Sequence, residues 1–190
     1  MSDLHSKRVE VLTAAFRRIS EVLYDTSVAP EQLDAEILPY LAPEVRFTDP
    51  WQQASGRDKY RLGAAGFHTL LSFKLEILQL NVQLEPGALR GRALVDATMH
   101  LTPLGARFPF PLRTILKYDF TLLGEPADGH RFLIDDHEEM WSLADLIAAV
   151  PVAGWIYKNL FRKGFSVGFL AASYLSCRAR GVLPPSRPPG

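Results

Sequence analysis

The stretch that decides the fold is residues 41–60, LAPEVRFTDPWQQASGRDKY. It contains a short apolar strand, Val45–Thr48, which Asp49-Pro50 closes because proline has no N–H group to continue a strand ladder. A polar turn follows and leads into a helix. Asp49 has two interpretations. An aspartate before proline commonly ends a strand by bonding nearby backbone, whereas a carboxylate at an apolar wall is a stronger base and can serve chemistry.

Composition favours one soluble domain with an appendage. The chain has 190 residues, of which 47% are hydrophobic, enough for a sizeable core. Lysine plus arginine equals aspartate plus glutamate at 21 each, so the net charge does not favour nucleic acid. The N-terminus carries charges where a secretory signal has its apolar core, and the single cysteine cannot form an intrachain disulfide. We therefore expect a cytoplasmic protein without a nucleic-acid partner.

Hydrophobic periodicity predicts helices first and strands afterwards. Apolar residues recur at helical spacing in three segments: residues 4–24, 30–41 and 55–71. From Ser72 the period becomes two, and the phase of the alternation changes at Ile77-Leu78, which indicates a bulge in a long, bent strand. Three further alternating segments predict the remaining long strands: residues 89–101, 116–122 and 130–142.

This order of elements predicts an α+β fold. We expect a cone-shaped α+β barrel in which a curved antiparallel sheet wraps around the N-terminal helices, because long bent strands wrap helices better than they form a flat sandwich. The α+β domain should comprise residues 1–142. A C-terminal helical extension at 143–180 should pack on or cap this domain, and a proline-rich tail at 181–190 should be disordered.

The element order, together with LAPEVRFTDP and SGRDKY, resembles the nuclear transport factor 2-like superfamily. That superfamily has a cystatin-like fold and includes steroid delta-isomerases, SnoaL-like polyketide cyclases and scytalone dehydratases. The resemblance covers residues 5–141 and implies a cone that encloses an apolar cavity, often in a homodimer. In steroid isomerases the aspartate of this Asp-Pro position is the general base, which implies that role for Asp49. Those enzymes also use a tyrosine inside the first helix, where this chain has Phe16, with Tyr24 at the helix end.

The segment DDHEEMW, near the end of the last strand, is a second candidate for chemistry. Regular alternation would direct Asp136 and Glu138 into the cavity. Two adjacent buried carboxylates repel each other, which raises the pKa of at least one of them and suits it to acid–base catalysis. A bulge would instead direct Asp135, His137 and Glu139 inward. Solvated acids at the end of a strand are a third interpretation, since charged residues are rarely buried.

We predict that Asp49 is a catalytic base and His137 its acid partner. The reaction would be an isomerisation, dehydration or cyclisation of a small apolar molecule. Neither a cofactor nor a metal is expected, because the sequence has no phosphate-binding loop and no paired Cys/His spacing. The predicted substrate-binding residues are aromatic side chains and acids near the cavity: Trp51, Tyr60, Phe67, Tyr118, Asp136, Glu138 and Trp141. The alternative is a non-catalytic ligand-binding or dimerisation module.

The C-terminal extension is a third feature. Small residues recur every four positions along one face of the predicted helix, and such a face lets a second helix approach closely: Gly164, Gly168, Ala172 and Ser176. The uncharged segment 164–177 is too short to cross a bilayer but could lie against one, with basic residues on both sides for anionic headgroups. We favour closure of the open mouth of the cone, with a membrane surface or a second chain as alternatives.

Overall fold

A computed structural model describes residues 2–50, 52–85, 89–103, 109–124, 131–142, 144, 147 and 151–179. The chain divides into two units, Met1–Asp145 and Leu146–Gly190. The described helices of the first unit are α1 (Ser2–Leu23), α2 (Pro30–Ile37), a 3₁₀ turn (Leu38–Tyr40) and α3 (Arg57–Leu70). Its described strands are β1 (Leu41–Thr48), β2 (Gln53–Ser55), β3 (Leu71–Leu84), β4 (Arg90–Pro103), β5 (Phe110–Leu122) and β6 (Phe132–Trp141).

The strands form one curved, unclosed sheet in the order β2-β1-β6-β5-β4-β3. Strands β3 to β6 make an antiparallel meander, which confirms the predicted α+β architecture. One pair outside the meander is parallel, because β1 runs in the same direction as β6. These two strands are far apart in sequence and share no turn, so no local signal fixes their relative direction.

The helix α1 packs on the sheet through the apolar stripe that its periodicity predicted. Leu12, Phe16 and Ile19 are buried, and each contributes roughly 1.5–3 kcal/mol by leaving water. The ring of Phe16 contacts three aromatic rings of the sheet at centroid distances of 4.8 to 5.3 Å: Tyr118, Phe120 and Phe132. This aromatic cluster is the core of the first unit, on the inner face of the sheet.

Two bulges set which side chains face that core. In β3 the pairing with β4 shifts between Ile77 and Gln79, so the predicted bulge is confirmed. In β6 the pairing shifts again: Asp119 pairs with Asp136, and Phe120 pairs with Ile134. Asp135 is therefore the extra residue. The alternation restarts after it, and the residues at positions 137 and 139 take the inner face.

The described part of the second unit is helical. It comprises α4 (Pro151–Ile156), a π-helical turn (Tyr157–Phe161) and α5 (Arg162–Ala179). Among the described residues, no helix combines the length and the apolar character that crossing a membrane requires. Trp51 and the proline-rich tail at 181–190 lie outside the described residues.

Candidate active site

His137 lies at the centre of the candidate site, on the inner face of β6. It is fully buried, and it pairs across the sheet with Phe47 of β1 and with Tyr118 of β5. The Tyr118 ring stacks on the imidazole at a centroid distance of 4.4 Å and an interplanar angle of 22°. Burial lowers the pKa of His137 to about 3. The imidazole is therefore neutral near neutral pH.

Both ring nitrogens of His137 hydrogen bond to tyrosine hydroxyls. Nδ1 is 2.7 Å from the Tyr60 hydroxyl oxygen, and Nε2 is 3.2 Å from the Tyr24 hydroxyl oxygen. The Tyr24 hydroxyl also hydrogen bonds to Oε1 of Glu139, and Trp141 donates through Nε1 to Oε2 of Glu139 at 3.0 Å. The resulting continuous set of hydrogen bonds is named here the buried network: Tyr60, His137, Tyr24 and Glu139.

Local backbone structure explains why the two tyrosines meet at this histidine. Tyr24 directly follows α1, and its N–H group donates to the Ser20 carbonyl at 3.1 Å, which extends the helical path by one residue. Tyr60 lies in the first turn of α3. Gly56 begins that helix with φ of 91°, a conformation that favours glycine, and its N–H group donates to the Val45 carbonyl at 2.8 Å. Gly56 thus fixes α3 against β1 and points Tyr60 toward β6.

Glu139 is the acid of the buried network and is 6% exposed. Its pKa is raised to about 8, mainly by burial and also by the negative charge of Asp49, while hydrogen bonds from Tyr24 and Trp141 act in the opposite direction. Most molecules therefore carry a protonated Glu139 at neutral pH, and a minority carry the carboxylate. Burial also raises the pKa values of Tyr24 and Tyr60 well above their usual range, so both hydroxyls keep their protons.

The direction of the hydrogen bonds depends on the protonation of Glu139. The carboxylate accepts from Tyr24, whose oxygen accepts from Nε2–H of His137, and Nδ1 then accepts from Tyr60. When Glu139 is protonated, its proton lies on Oε1, because Oε2 already accepts a hydrogen bond from Trp141. Oε1 then donates to Tyr24, and the direction of every hydrogen bond between Glu139 and Tyr60 reverses. In that state His137 donates from Nδ1 to Tyr60, and the hydroxyl proton of Tyr60 is available to a bound molecule. A neutral imidazole has one donor and one acceptor and fits both directions.

A cavity of about 50 Å³ adjoins the buried network. Its volume exceeds what one water molecule needs. Its described wall includes three residues of the network, Tyr24, Tyr60 and Glu139, the polar residues Gln52, Lys59 and His68, and a larger apolar set: Leu23, Phe47, Phe67, Phe73 and Met99. Within the described residues, no group of three or more His, Cys, Asp and Glu side chains is arranged to hold a metal ion. The cavity is thus an apolar pocket with hydroxyl and carboxyl groups in its wall.

Asp49, the predicted base, is 7% exposed and lies behind this wall. Its Oδ1 accepts from the Gln52 N–H group at 2.8 Å, and its Oδ2 accepts from the Gln52 side-chain amide at 3.0 Å. Gln52 lines the cavity, and Asp49 is close enough to Glu139 to raise the pKa of that residue. The predicted pairing of Asp49 with His137 differs from the structure, because both nitrogens of the imidazole bond to tyrosines.

Asp136 and Glu138 lie on the outer face of the sheet rather than in the cavity. Asp136 is 3.2 Å from Arg46 and 3.6 Å from Lys117, and Glu138 is 2.5 Å from Lys117. The bulge at Asp135 is the reason, because it shifts the alternation by one residue. The structure therefore places these two predicted substrate-binding residues away from the cavity.

The other predicted binding residues have mixed positions. Tyr60 and Phe67 line the cavity. Trp141 contacts the site through Glu139. Tyr118 supports it from behind, since its ring stacks on His137 and its hydroxyl lies 3.1 Å from Ser20.

Two residues of the buried network were missed as candidates for chemistry. Tyr24 was recognised only as the end of the first helix, although it directly follows the buried stripe of α1 that ends at Leu23. Glu139 was considered only within the bulge alternative. Its position two residues after His137 on a strand was the available signal, because such residues share a face.

Comparisons with known proteins agree with this geometry at the level of fold. No family model and no curated protein matches the chain. A protein proposed to be a scytalone dehydratase from Novosphingobium aromaticivorans is 14% identical with a TM-score of 0.58, covering 75% of this chain and 89% of its own. A ketosteroid isomerase-like protein from Erwinia carotovora atroseptica is 10% identical with a TM-score of 0.53, covering 70% and 95%.

A protein of the nuclear transport factor 2-like family from Streptomyces avermitilis, proposed to be a dehydratase, is 17% identical with a TM-score of 0.52, covering 73% of this chain and 98% of its own. At such identities the similarity concerns the fold and not the activity. The chain therefore has the α+β fold of the nuclear transport factor 2-like superfamily, as its sequence resemblance indicated.

Proposed function

We propose that this protein is a cofactor-independent acid–base catalyst that moves a proton on a small, largely apolar molecule. Isomerisation, dehydration and cyclisation are the reaction classes. The observation that carries the proposal is the buried network, because its two ends, Tyr60 and Glu139, both line the apolar cavity. Proteins of the same fold that are named as dehydratases or isomerase-like support the choice of class.

Glu139 is the proposed base. A pKa of about 8 keeps a reactive carboxylate population near neutral pH and makes that carboxylate a stronger base than an exposed one. It would remove a proton from a carbon next to a carbonyl group, where the remaining charge spreads onto oxygen. Asp49 contributes by the negative charge that raises the pKa of Glu139, and it does not contact the substrate.

Tyr60 is the proposed donor to the substrate oxygen. When Glu139 gains a proton, the hydrogen bonds of the buried network reverse and the Tyr60 hydroxyl proton becomes available to the cavity. A proton can also pass along the network by successive single steps between Tyr60 and Glu139. His137 then changes from one neutral tautomer to the other without passing through a stable imidazolium. This agrees with its pKa of about 3, which disfavours the charged form. His137 is thus a positioning and relay group.

The test is exchange of α-protons of small mono- and bicyclic ketones in D₂O, followed by proton NMR. We expect exchange above the buffer rate with the wild-type protein. Glu139→Gln and Tyr60→Phe should each reduce it by about 100-fold or more, the usual effect of losing a general acid or base. Glu138→Gln is the matched control, because it makes the same change one residue away on the outer face. Equal exchange rates in the wild type, Glu139→Gln and Tyr60→Phe would rule the proposal out.

A further inference from the structure

The second unit differs from the first in charge. All 21 acidic residues of the chain lie before residue 146. The segment 146–190 contains no aspartate or glutamate, and its charged residues are all basic: Lys158, Arg162, Lys163, Arg178, Arg180 and Arg187. Such a segment has a net positive charge and attracts anionic surfaces.

The described helix of this unit also exposes large apolar side chains. Phe161, Phe165 and Phe169 are 60%, 64% and 61% exposed. Together with Tyr157 they stack ring upon ring, at centroid distances of 5.7, 6.2 and 6.0 Å. We name these four rings the aromatic ridge. Contiguous exposed apolar surface of this kind marks an interaction site, because water contact with it is unfavourable.

Basic and large apolar residues lie on different sides of the first two turns of α5. At 100° per residue, Arg162, Lys163 and Ser166 fall within a sector of about 100°. The phenylalanines of the aromatic ridge and Val167, which is 69% exposed, lie outside this sector. The 18 residues of α5 extend about 27 Å, but its uncharged stretch, 164–177, has only 14 residues and is too short to cross a bilayer. These are the properties of a helix that lies in an interface rather than one that crosses it.

We propose that α4 and α5 lie in the plane of an anionic lipid surface. The aromatic ridge would enter the boundary between headgroups and acyl chains. Lys158, Arg162 and Lys163 would contact the anionic headgroups. An anionic bilayer is the partner that fits both features, because the charged residues of segment 146–190 are all basic and the aromatic ridge beside them is exposed. This inference is independent of the proposed catalytic function.

The test is co-sedimentation of the full chain with vesicles of phosphatidylcholine alone, or with about one third phosphatidylserine. We expect binding to the anionic vesicles only, and weaker binding at high salt. Each basic residue near such a surface contributes about fivefold in affinity, so Arg162→Glu with Lys163→Glu should weaken binding at least about twenty-fold. Phe161→Ser with Phe165→Ser should weaken it at least about tenfold.

Lys7→Glu with Arg17→Glu is the control, because it makes the same charge change at exposed positions of α1. This variant should bind like the wild type. Equal sedimentation of the wild type with both vesicle types, or wild-type binding by Arg162→Glu with Lys163→Glu, overturns the proposal. A dimer in analytical ultracentrifugation that Phe161→Ser with Phe165→Ser separates, without any lipid binding, also overturns it and assigns the ridge to a second chain.

Discussion

The two faces of β6 place the same kinds of ionisable groups in opposite environments. On the outer face, the side chains of Asp136 and Glu138 are 17% and 36% exposed, and both lie within 4 Å of Lys117. On the inner face, His137 is fully buried and Glu139 is 6% exposed, and their hydrogen bonds are to tyrosine hydroxyls and an indole.

The difference teaches that the environment, and not the residue type, assigns the role of each acid. Outer carboxylates stay paired with cations in contact with water, where such pairs contribute little stability. The inner carboxyl instead retains its proton, since burial disfavours its charge. Without the bulge at Asp135, regular alternation would place Asp136 and Glu138 on the inner face and His137 and Glu139 on the outer face. The two faces can therefore be compared directly by substitution.

The largest expected difference between the faces is in stability. His137→Ala should lower the free energy of unfolding by about 3 kcal/mol, because it leaves a cavity and removes the hydrogen-bond partner of two buried hydroxyls. Asp136→Ala should lower it by less than about 1 kcal/mol, since its partners are exposed cations. Urea unfolding of both variants measures this. Similar losses would show that the inner network does not stabilise the fold.

The second difference is in the pH dependence of stability. Glu139 has a pKa of about 8 in the folded state and about 4.5 when unfolded, so its contribution is complete below about pH 4.5 and is lost as the pH rises to 8. His137, with a pKa of about 3 folded and 6.5 unfolded, contributes stability above pH 6.5 that is lost as the pH falls toward 3. The two slopes cancel between about pH 4.5 and 6.5.

Above pH 6.5 only the slope of Glu139 remains. Wild-type stability should therefore fall by about 2 kcal/mol between pH 6.5 and 8, at about 1.4 kcal/mol per pH unit. Glu139→Gln should remove this fall, and Glu138→Gln should keep it. Thermal unfolding across this range, with differences taken between the variants and the wild type, is the measurement. A fall of the same size in Glu139→Gln would assign it to another group.

The third difference is in sensitivity to salt. Lys117→Met removes the cation shared by Asp119, Asp136 and Glu138, and should cost about 1 kcal/mol at low ionic strength. High salt should shrink this loss, because exposed pairs are screened, whereas the loss in His137→Ala should not change. Urea unfolding at two salt concentrations compares them. A salt-independent loss in Lys117→Met would indicate that packing of its aliphatic stem is the cause.

The smallest expected effect is a change in the tautomer of His137 within the folded protein. As the pH rises through about 8, Glu139 becomes ionised and the proton of His137 should move from Nδ1 to Nε2. Chemical shifts of ¹⁵N-labelled imidazole report the protonated nitrogen directly. Tyr24→Phe should abolish the change, since it interrupts the network between His137 and Glu139. A tautomer that stays constant across pH 8 would contradict the reversal.

Local patterns predicted much of the fold and less of the site. Helical spacing around Phe16 and the phase change at Ile77 each reflect neighbouring residues, and the structure confirms both. The parallel pairing of β1 with β6 joins distant segments, so no local pattern contains it. The homodimer remains a prediction.

The site was harder to predict because its geometry depends on one extra residue. Regular alternation and a bulge at Asp135 are both compatible with the sequence DDHEEMW, and they bury opposite acids. The bonds between His137 and its two tyrosines depend on the meeting of α1, α3 and β6, which periodicity does not specify. Candidate residues could therefore be named, but their partners could not.

The order of these segments along the chain has a consequence for biosynthesis. Tyr24 bonds to a histidine 113 residues further on, and Tyr60 to the same residue across a separation of 77. At a translation rate of about 5–20 residues per second, Tyr24 leaves the ribosome roughly 6 to 23 s before its partner. A nascent chain that ends before β6 holds both phenols without the imidazole. We therefore expect quality control to encounter incomplete chains with these rings still accessible, and the protein to become competent only with its last strand.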